Sequence, residues 1–137
     1  MVERCVFCAI VAGTGPAHVI YEDDDAIAFM DINPATDGHA LVVPRKHIRD
    51  LWEISEDEAS RVMAATVRVG ARIRKALSPD GLNVMHATGA AAFQTVFHFH
   101  LHVIPRYFND PLRLPWVPRP GDRTKIAEVA GKIVSAG

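Results

Sequence analysis

The sequence predicts an α+β domain: an antiparallel sheet of about five strands packed against one long helix, then an irregular proline-rich tail and a short C-terminal helix. Three observations carry this expectation. Short apolar runs suited to strands occur both before and after residues 55–77. The 55–77 stretch itself repeats apolar residues at three- and four-residue spacing. The 137 residues show no internal repeat, and their number suits a single domain over 1–137. Strands, one long helix and more strands in that order favour α+β over alternating α/β.

Residues 5–11 are apolar with little charge and are expected to cover part of the core until Gly13, Gly15 and Pro16 break the run. Residues 18–22 and 26–30 read as two strands around the acidic turn Asp23-Asp24-Asp25, a hairpin signal. Asn33-Pro34 and Asp37-Gly38 mark a loop, after which 39–43 resumes as a strand that stops at Pro44. Ser55 with Glu58 forms a capping box, and Ala59, Val62, Thr66, Val69, Ile73 and Leu77 follow on one helix face until Ser78-Pro79-Asp80-Gly81 ends it. Met63, Val67 and Gly70 widen that apolar surface, so either broad burial or a second subunit covers it. Residues 82–86 read as a strand, 87–93 as a small-residue loop and 98–104 as a further strand. Proline density makes the tail over 107–120 irregular, and 125–134 can form a short helix.

With 49% hydrophobic and 23% charged residues and a formal net charge of -1, the composition is globular and offers no general field for nucleic acid or anionic membrane. No run reaches the roughly 18 apolar residues of a membrane span, and the N-terminus lacks a secretory pattern. A cytoplasmic protein with neither a nucleic-acid nor a membrane partner is expected. In a reducing compartment Cys5-Val6-Phe7-Cys8 suggests a metal site or redox pair before a structural disulfide.

The chemistry concentrates in 94–106. On a strand, His98, His100 and His102 point to one face, while Phe97, Phe99, Leu101 and Val103 anchor the other. Three imidazoles with an ordinary pKa near 6.5 on one surface imply metal, phosphate or proton-transfer work. His100, central in the row with Thr95 and His102 close by, is the candidate nucleophile toward phosphorus or acyl carbon. Thr95 and backbone N–H groups of the 87–93 loop would stabilise charged oxygens. The residues alone leave a three-histidine metal site open.

His98-Phe99-His100-Leu101-His102-Val103-Ile104 resembles the His-x-His-x-His signature of the histidine triad nucleotide-binding family. Gln94-Thr95-Val96, Pro105-Arg106, Asp31-Ile32-Asn33-Pro34 and the 39–47 segment resemble it in the expected order, so the likeness covers about 5–106. It is closest in appearance to bacterial adenosine phosphoramidase-like members with a Cys-x-x-Cys zinc site. The resemblance implies cleavage at the α-phosphate of a purine nucleotide derivative, of the nucleoside 5′-phosphoramidate type, through a nucleotidyl-histidine intermediate that releases a nucleoside monophosphate. Alternatives are a dinucleoside polyphosphate hydrolase and a regulatory nucleotide-binding module with weak turnover. His100 would be the nucleophile, His102 a phosphate and leaving-group contact, His39 a supporting member and Thr95 a phosphate donor. Phe7, Ile10, Phe29 and Ile32 would hold the base and Asp31 the ribose hydroxyls, with Phe93, Gln94 and Thr95 as further nucleotide-binding residues; Asp31 also reads as a turn cap before Asn33-Pro34. The resemblance further implies a structural zinc (Zn2+) at Cys5, Cys8, His47 and His98, and a homodimer joined through the long helix and a sheet edge. Two departures stand out: Ala87 replaces the usual amide residue and Phe93 the usual Gly, with His86 or Thr88 as conceivable substitutes for the amide.

Overall fold

The computed structural model describes residues 5–137, so the N-terminal pattern over 1–4 lies outside the described residues. The chain runs through α1 (Val6–Val11), β1 (Val19–Glu22), β2 (Ala26–Met30), β3 (Ala40–Pro44), α2 (Glu56–Leu77), β4 (Gly81–Met85), β5 (Leu101–Arg106) and α3 (Arg123–Ala136). The strands form one five-stranded sheet in the order β1-β2-β3-β5-β4, each neighbouring pair antiparallel. This is the expected α+β architecture.

Side-chain alternation on β2 and β3 divides the core into two. Ala26, Ala28, Ala40 and Val42 face Val62, Ala65, Val69 and Ile73 of α2, and the small alanines let that helix lie close to the sheet. Ile27, Phe29, Leu41 and Val43 face the other way and meet Phe7 of α1. The central strands therefore have little polar surface, while β4 at the sheet edge is exposed throughout.

α2 begins where its cap dictates: Glu58 N–H donates to Ser55 Oγ at 3.1 Å, and Ser55 N–H donates to Glu58 Oε1 at 2.9 Å. Met63 and Val67 lie exposed on its outer side, and together with Gly70, Leu82 and Val84 they line a groove between α2 and β4. α3 starts earlier than residue 125 because the Asp122 carboxylate accepts N–H groups of Thr124 and Lys125 at 2.9 and 3.3 Å. Among the described residues no helix is long and apolar enough to cross a membrane.

The histidine strand needs correction. β5 starts only at Leu101, so His98 to His100 approach the sheet on irregular backbone. Phe99 N–H still reaches Ile48 O at 2.6 Å and the Phe99 ring enters the α2-side core, which keeps the alternation of faces. Phe97 does not help anchor it: it is 45% exposed.

Candidate active site and metal cluster

On the α1 side of the sheet lies a cleft of about 570 Å³, lined among others by Phe7, Ile10, Phe29, Ile32, Leu41 and Val96, with Asp31, Asn33, Thr95, His100 and His102 as its polar members. That volume and that balance of apolar wall to few polar groups suit a small organic ligand. Phe7 stands edge-on to Phe29 at 5.3 Å and to His100 at 5.2 Å between ring centres, so it closes the wall beside the candidate nucleophile. Asp31 has two roles at once: Oδ1 accepts Asn33 N–H at 2.8 Å as a turn cap, and Oδ2 lies 3.4 Å from His39 Nε2.

Backbone partners fix where the histidine protons sit. A carbonyl only accepts, so the 2.7 Å contact of His100 Nδ1 with His98 O places the proton on Nδ1 and leaves the Nε2 lone pair unprotonated. Ala35 N–H donates to His39 Nδ1 at 2.9 Å, so the His39 proton is on Nε2 and is donated to His102 Nδ1, also at 2.9 Å. His102 in turn carries its proton on Nε2, which makes it a donor at the cleft. Burial lowers the pKa of His100 against the raising effect of the His98 carbonyl. His102 is pushed down to about 4, by burial first and then by the His100 and His39 rings. These imidazoles are neutral at neutral pH.

Beyond Phe7, on the same side of the sheet, the other half of the constellation assembles. Cys8 Sγ lies 3.2 Å from His47 Nδ1 and 3.5 Å from His98 Nδ1, and Cys5 Sγ lies 3.4 Å from His98 Nδ1. The four donor atoms fall within 4.8 Å of one another. His98 Nε2–H donates to Pro44 O at 2.8 Å, which turns the unprotonated Nδ1 toward the sulfurs. Burial and the adjacent Cys5 push the Cys8 thiol up to about 11, so a thiolate pair here calls for a cation between its members. Two thiolates and two imidazoles, one already oriented by a carbonyl, fit a closed tetrahedral zinc site.

Asp31, His39 and His102 also bring their donor atoms within 4.8 Å, but the His39 nitrogen facing the other two carries the proton. That group fits a hydrogen-bond chain and does not fit a metal seat. Because His98 directs its free nitrogen to the cysteines, the three signature histidines do not converge on one ion.

The structure thus brings Phe7, Ile10, Phe29, Asp31, Ile32, Thr95, His100 and His102 to the cleft, with His39 behind it. Phe93 and Gln94 stay away. Phe93 is 88% exposed with φ 70°, the left-handed region where the family's usual Gly is at ease. Gln94 is buried and ties three segments together, donating to Arg49 O and Val96 O and accepting Gly89 N–H. The 87–93 loop, expected from sequence to supply oxyanion donors, does not line the cleft either. Val96 and the Ala35 amide were missed. The apolar residue directly after Thr95 is a fair signal for the first; nothing in a sequence announces the second.

Four likenesses to known proteins bear on this geometry. The profile described as HIT domain matches residues 12–109. Protein hit of Bacillus subtilis is 42% identical over 105 residues, which cover 77% of this chain and 72% of that protein. The crystal structure of a HIT family member from Bacillus subtilis superposes with a TM-score of 0.90 at 34% identity, covering 97% of this chain and 96% of that one. A Zn-bound histidine triad family protein from Mycobacterium smegmatis gives a TM-score of 0.78 at 39% identity, with 100% of each chain covered.

Proposed function

The chain belongs to the HIT domain family, and from that premise we propose that it is a nucleotidyl hydrolase or transferase acting at the α-phosphate of purine nucleotide derivatives, of the nucleoside 5′-phosphoramidate type. The observation that carries the reading is the fixed tautomer of His100: Nδ1–H is tied to His98 O at 2.7 Å, and the basic Nε2 belongs to a ring lining an apolar cleft. In the first step Nε2 attacks the α-phosphorus, an N–P bond forms, and the bond to the leaving nitrogen, which is protonated in the substrate, breaks with its electron pair going to that nitrogen, so that it departs as a neutral amine. The positive charge that grows on the ring is stabilised by the His98 carbonyl. His102 Nε2–H and the Thr95 hydroxyl hydrogen-bond the phosphate oxygens and the departing atom. Water then attacks phosphorus and gives up one proton to the departed amine, the N–P bond breaks with its electron pair returning to Nε2, and the nucleoside monophosphate leaves. Phe7, Phe29 and Ile32 hold the base, and Asp31 Oδ2 receives the ribose hydroxyls.

Zinc at Cys5, Cys8, His47 and His98 is part of the proposal, supported by the donor set and by the Zn-bound relative. It would supply positive charge to the two thiolates and hold α1, hence Phe7, against the sheet. A cytoplasmic homodimer is proposed as well. Its support is the exposed edge of β4 and the groove of Met63, Val67, Gly70, Leu82 and Val84, so sedimentation at micromolar protein should give twice 15.0 kDa.

The deciding experiment is intact-mass analysis after rapid quench with an adenosine 5′-phosphoramidate. A single nucleotidyl adduct mapping to His100 is the expected result. A binding module gives no adduct, and an adduct on His98 or His102 moves the nucleophile elsewhere. Relative kcat/KM for a diadenosine polyphosphate then sorts the two substrate classes.

A further inference from the structure

Outside the triad one more histidine is built into the site's framework. The β4–β5 ladder stops at Met85↔His102, and the β3–β5 ladder stops at Val42↔Leu101. His100 therefore lies beyond the sheet's hydrogen bonds on both sides, although its ring must be held to within a fraction of an ångström for attack. A side chain takes the place of the missing rung. His86 Nδ1 contacts the His100 carbonyl at 3.0 Å, and since a carbonyl only accepts, Nδ1 carries the proton. His86 Nε2 is then an acceptor, and it lies 2.5 Å from Thr88 Oγ1. Thr88 Oγ1 is itself filled by Leu51 N–H at 3.0 Å, which directs its own proton to His86. The chain of donation runs from Leu51 N–H through Thr88 and His86 to the His100 peptide, with a single orientation at each link. The His86 ring also stacks on Phe99, 4.4 Å away and 24° from parallel, so both its plane and its edge are fixed.

The geometry points to His86, set by Thr88, as a positioning residue for the nucleophile: it clamps the His100 peptide so that the Nδ1–H bond to His98 O persists and Nε2 stays aimed. Neither residue lines the cleft, so changing either leaves its walls in place. This inference rests on His100 being the reacting group. It also gives the departure at Ala87 a physical account, because the polar function around the loop is carried by its two neighbours.

The test uses the full chain with His86→Leu, which keeps bulk on Phe99 and removes the donor, and His86→Asn, whose amide N–H can stand where Nδ1–H stood. His86→Leu is expected to lower kcat about 10- to 100-fold, the scale of a small misplacement of a reacting group, with the dissociation constant of AMP and KM within about threefold of wild type. His86→Asn should recover kcat to within about threefold. In parallel, ¹⁵N chemical shifts of His100 without substrate should report one Nδ1–H tautomer in the wild type and a mixture in His86→Leu. Wild-type kcat and an unmixed tautomer in His86→Leu would overturn the assignment, as would His86→Asn being as impaired as His86→Leu. Should His86→Leu not fold, Thr88→Val replaces it: a drop of about three- to tenfold in kcat with a mixed tautomer supports the clamp, and no change refutes it. If wild type forms no adduct the functional reading fails, and the tautomer measurement still decides the clamp.

Discussion

His98 and His100 are built by one device turned in opposite senses. Each ring commits one nitrogen to a backbone carbonyl, His98 Nε2 to Pro44 O at 2.8 Å and His100 Nδ1 to His98 O at 2.7 Å. Each thereby presents its other nitrogen unprotonated. They differ in what that nitrogen meets. Around His98 Nδ1 stand two sulfurs and, behind them, His47, a closed donor set; around His100 lies an open apolar cleft, with the His102 ring 5.0 Å away between ring centres. Phe7, edge-on to both rings, is the partition. A histidine's tautomer thus states only that it is a base. Its neighbours decide whether that base holds an ion or attacks an electrophile.

The comparison is broken most severely at His100. His100→Ala removes the unprotonated nitrogen of a ring that lines the cleft, so turnover should fall by more than about a thousandfold, while AMP affinity changes by less than about threefold because the base and ribose contacts remain. Steady-state rates with equilibrium titration of the same preparation check this. Equal losses in both would make His100 a binding group.

The next effect belongs to the other ring. Cys8→Ser should abolish retention of the proposed zinc and lower the unfolding midpoint by about 10 °C, since an ion present at a thousand times its dissociation constant stabilises by about 4 kcal/mol. The chemical step should slow less than about tenfold, through α1 and Phe7. Elemental analysis and thermal unfolding with and without chelator provide the measurement. A midpoint indifferent to chelator would leave the cluster as packed thiols and imidazoles.

How far these two sites were legible depended on the range of the signal. The Ser55/Glu58 box and the acidic turn Asp23-Asp24-Asp25 between two apolar runs are local, and they delivered α2 and β2 with bounds close to those observed. Convergence of Cys5, Cys8, His47 and His98 is a matter of tertiary placement that only the family resemblance supplied. The six-residue α1 is too short for a period to declare itself; its start comes from Cys5, whose Sγ accepts Cys8 N–H at 3.4 Å. Alternation also overran the start of β5, because the side chains at 98–100 alternate although the ladder has ended. What pins them is a set of single contacts, from Pro44, Ile48 and His86, that no pattern encodes.

Asp31 offers a smaller lever on the cleft side. Asp31→Asn keeps an Oδ1 acceptor for Asn33 N–H, so the turn survives, but it replaces a charged acceptor of ribose hydroxyls by a neutral one. Hydrogen bonds to charge exceed neutral ones by about 1 kcal/mol, so KM should rise about fivefold with kcat within about threefold. A 2′-deoxynucleotide substrate should lose most of the distinction between the two enzymes. Were the variant equally sensitive to the missing hydroxyl, the ribose would be held elsewhere.

The smallest expected effect tests whether the open side of the row is held neutral by the structure. His102 in the folded chain titrates at about 4, from an ordinary 6.5, because burial and then the His100 and His39 rings disfavour its charge. The unfolded chain takes up that proton near 6.5. Between those values the unfolded state binds more protons, so this group's contribution to stability is complete above about pH 6.5 and is lost as pH falls toward 4. Its slope is at most about 1.4 kcal/mol per pH unit. The structural reason lies in the donor chain: protonation places a hydrogen on His102 Nδ1, opposite His39 Nε2–H at 2.9 Å. His39 cannot reverse, because Ala35 N–H fills its Nδ1. His102→Gln removes this titration, so urea unfolding of wild type and variant between pH 4.5 and 7.5, on the order of one proton apart in slope at most, should show the wild type losing stability more steeply on acidification. Coincident slopes would mean that the ring protonates freely in the folded protein, and the directed chain from Ala35 through His39 to the cleft would have to be given up.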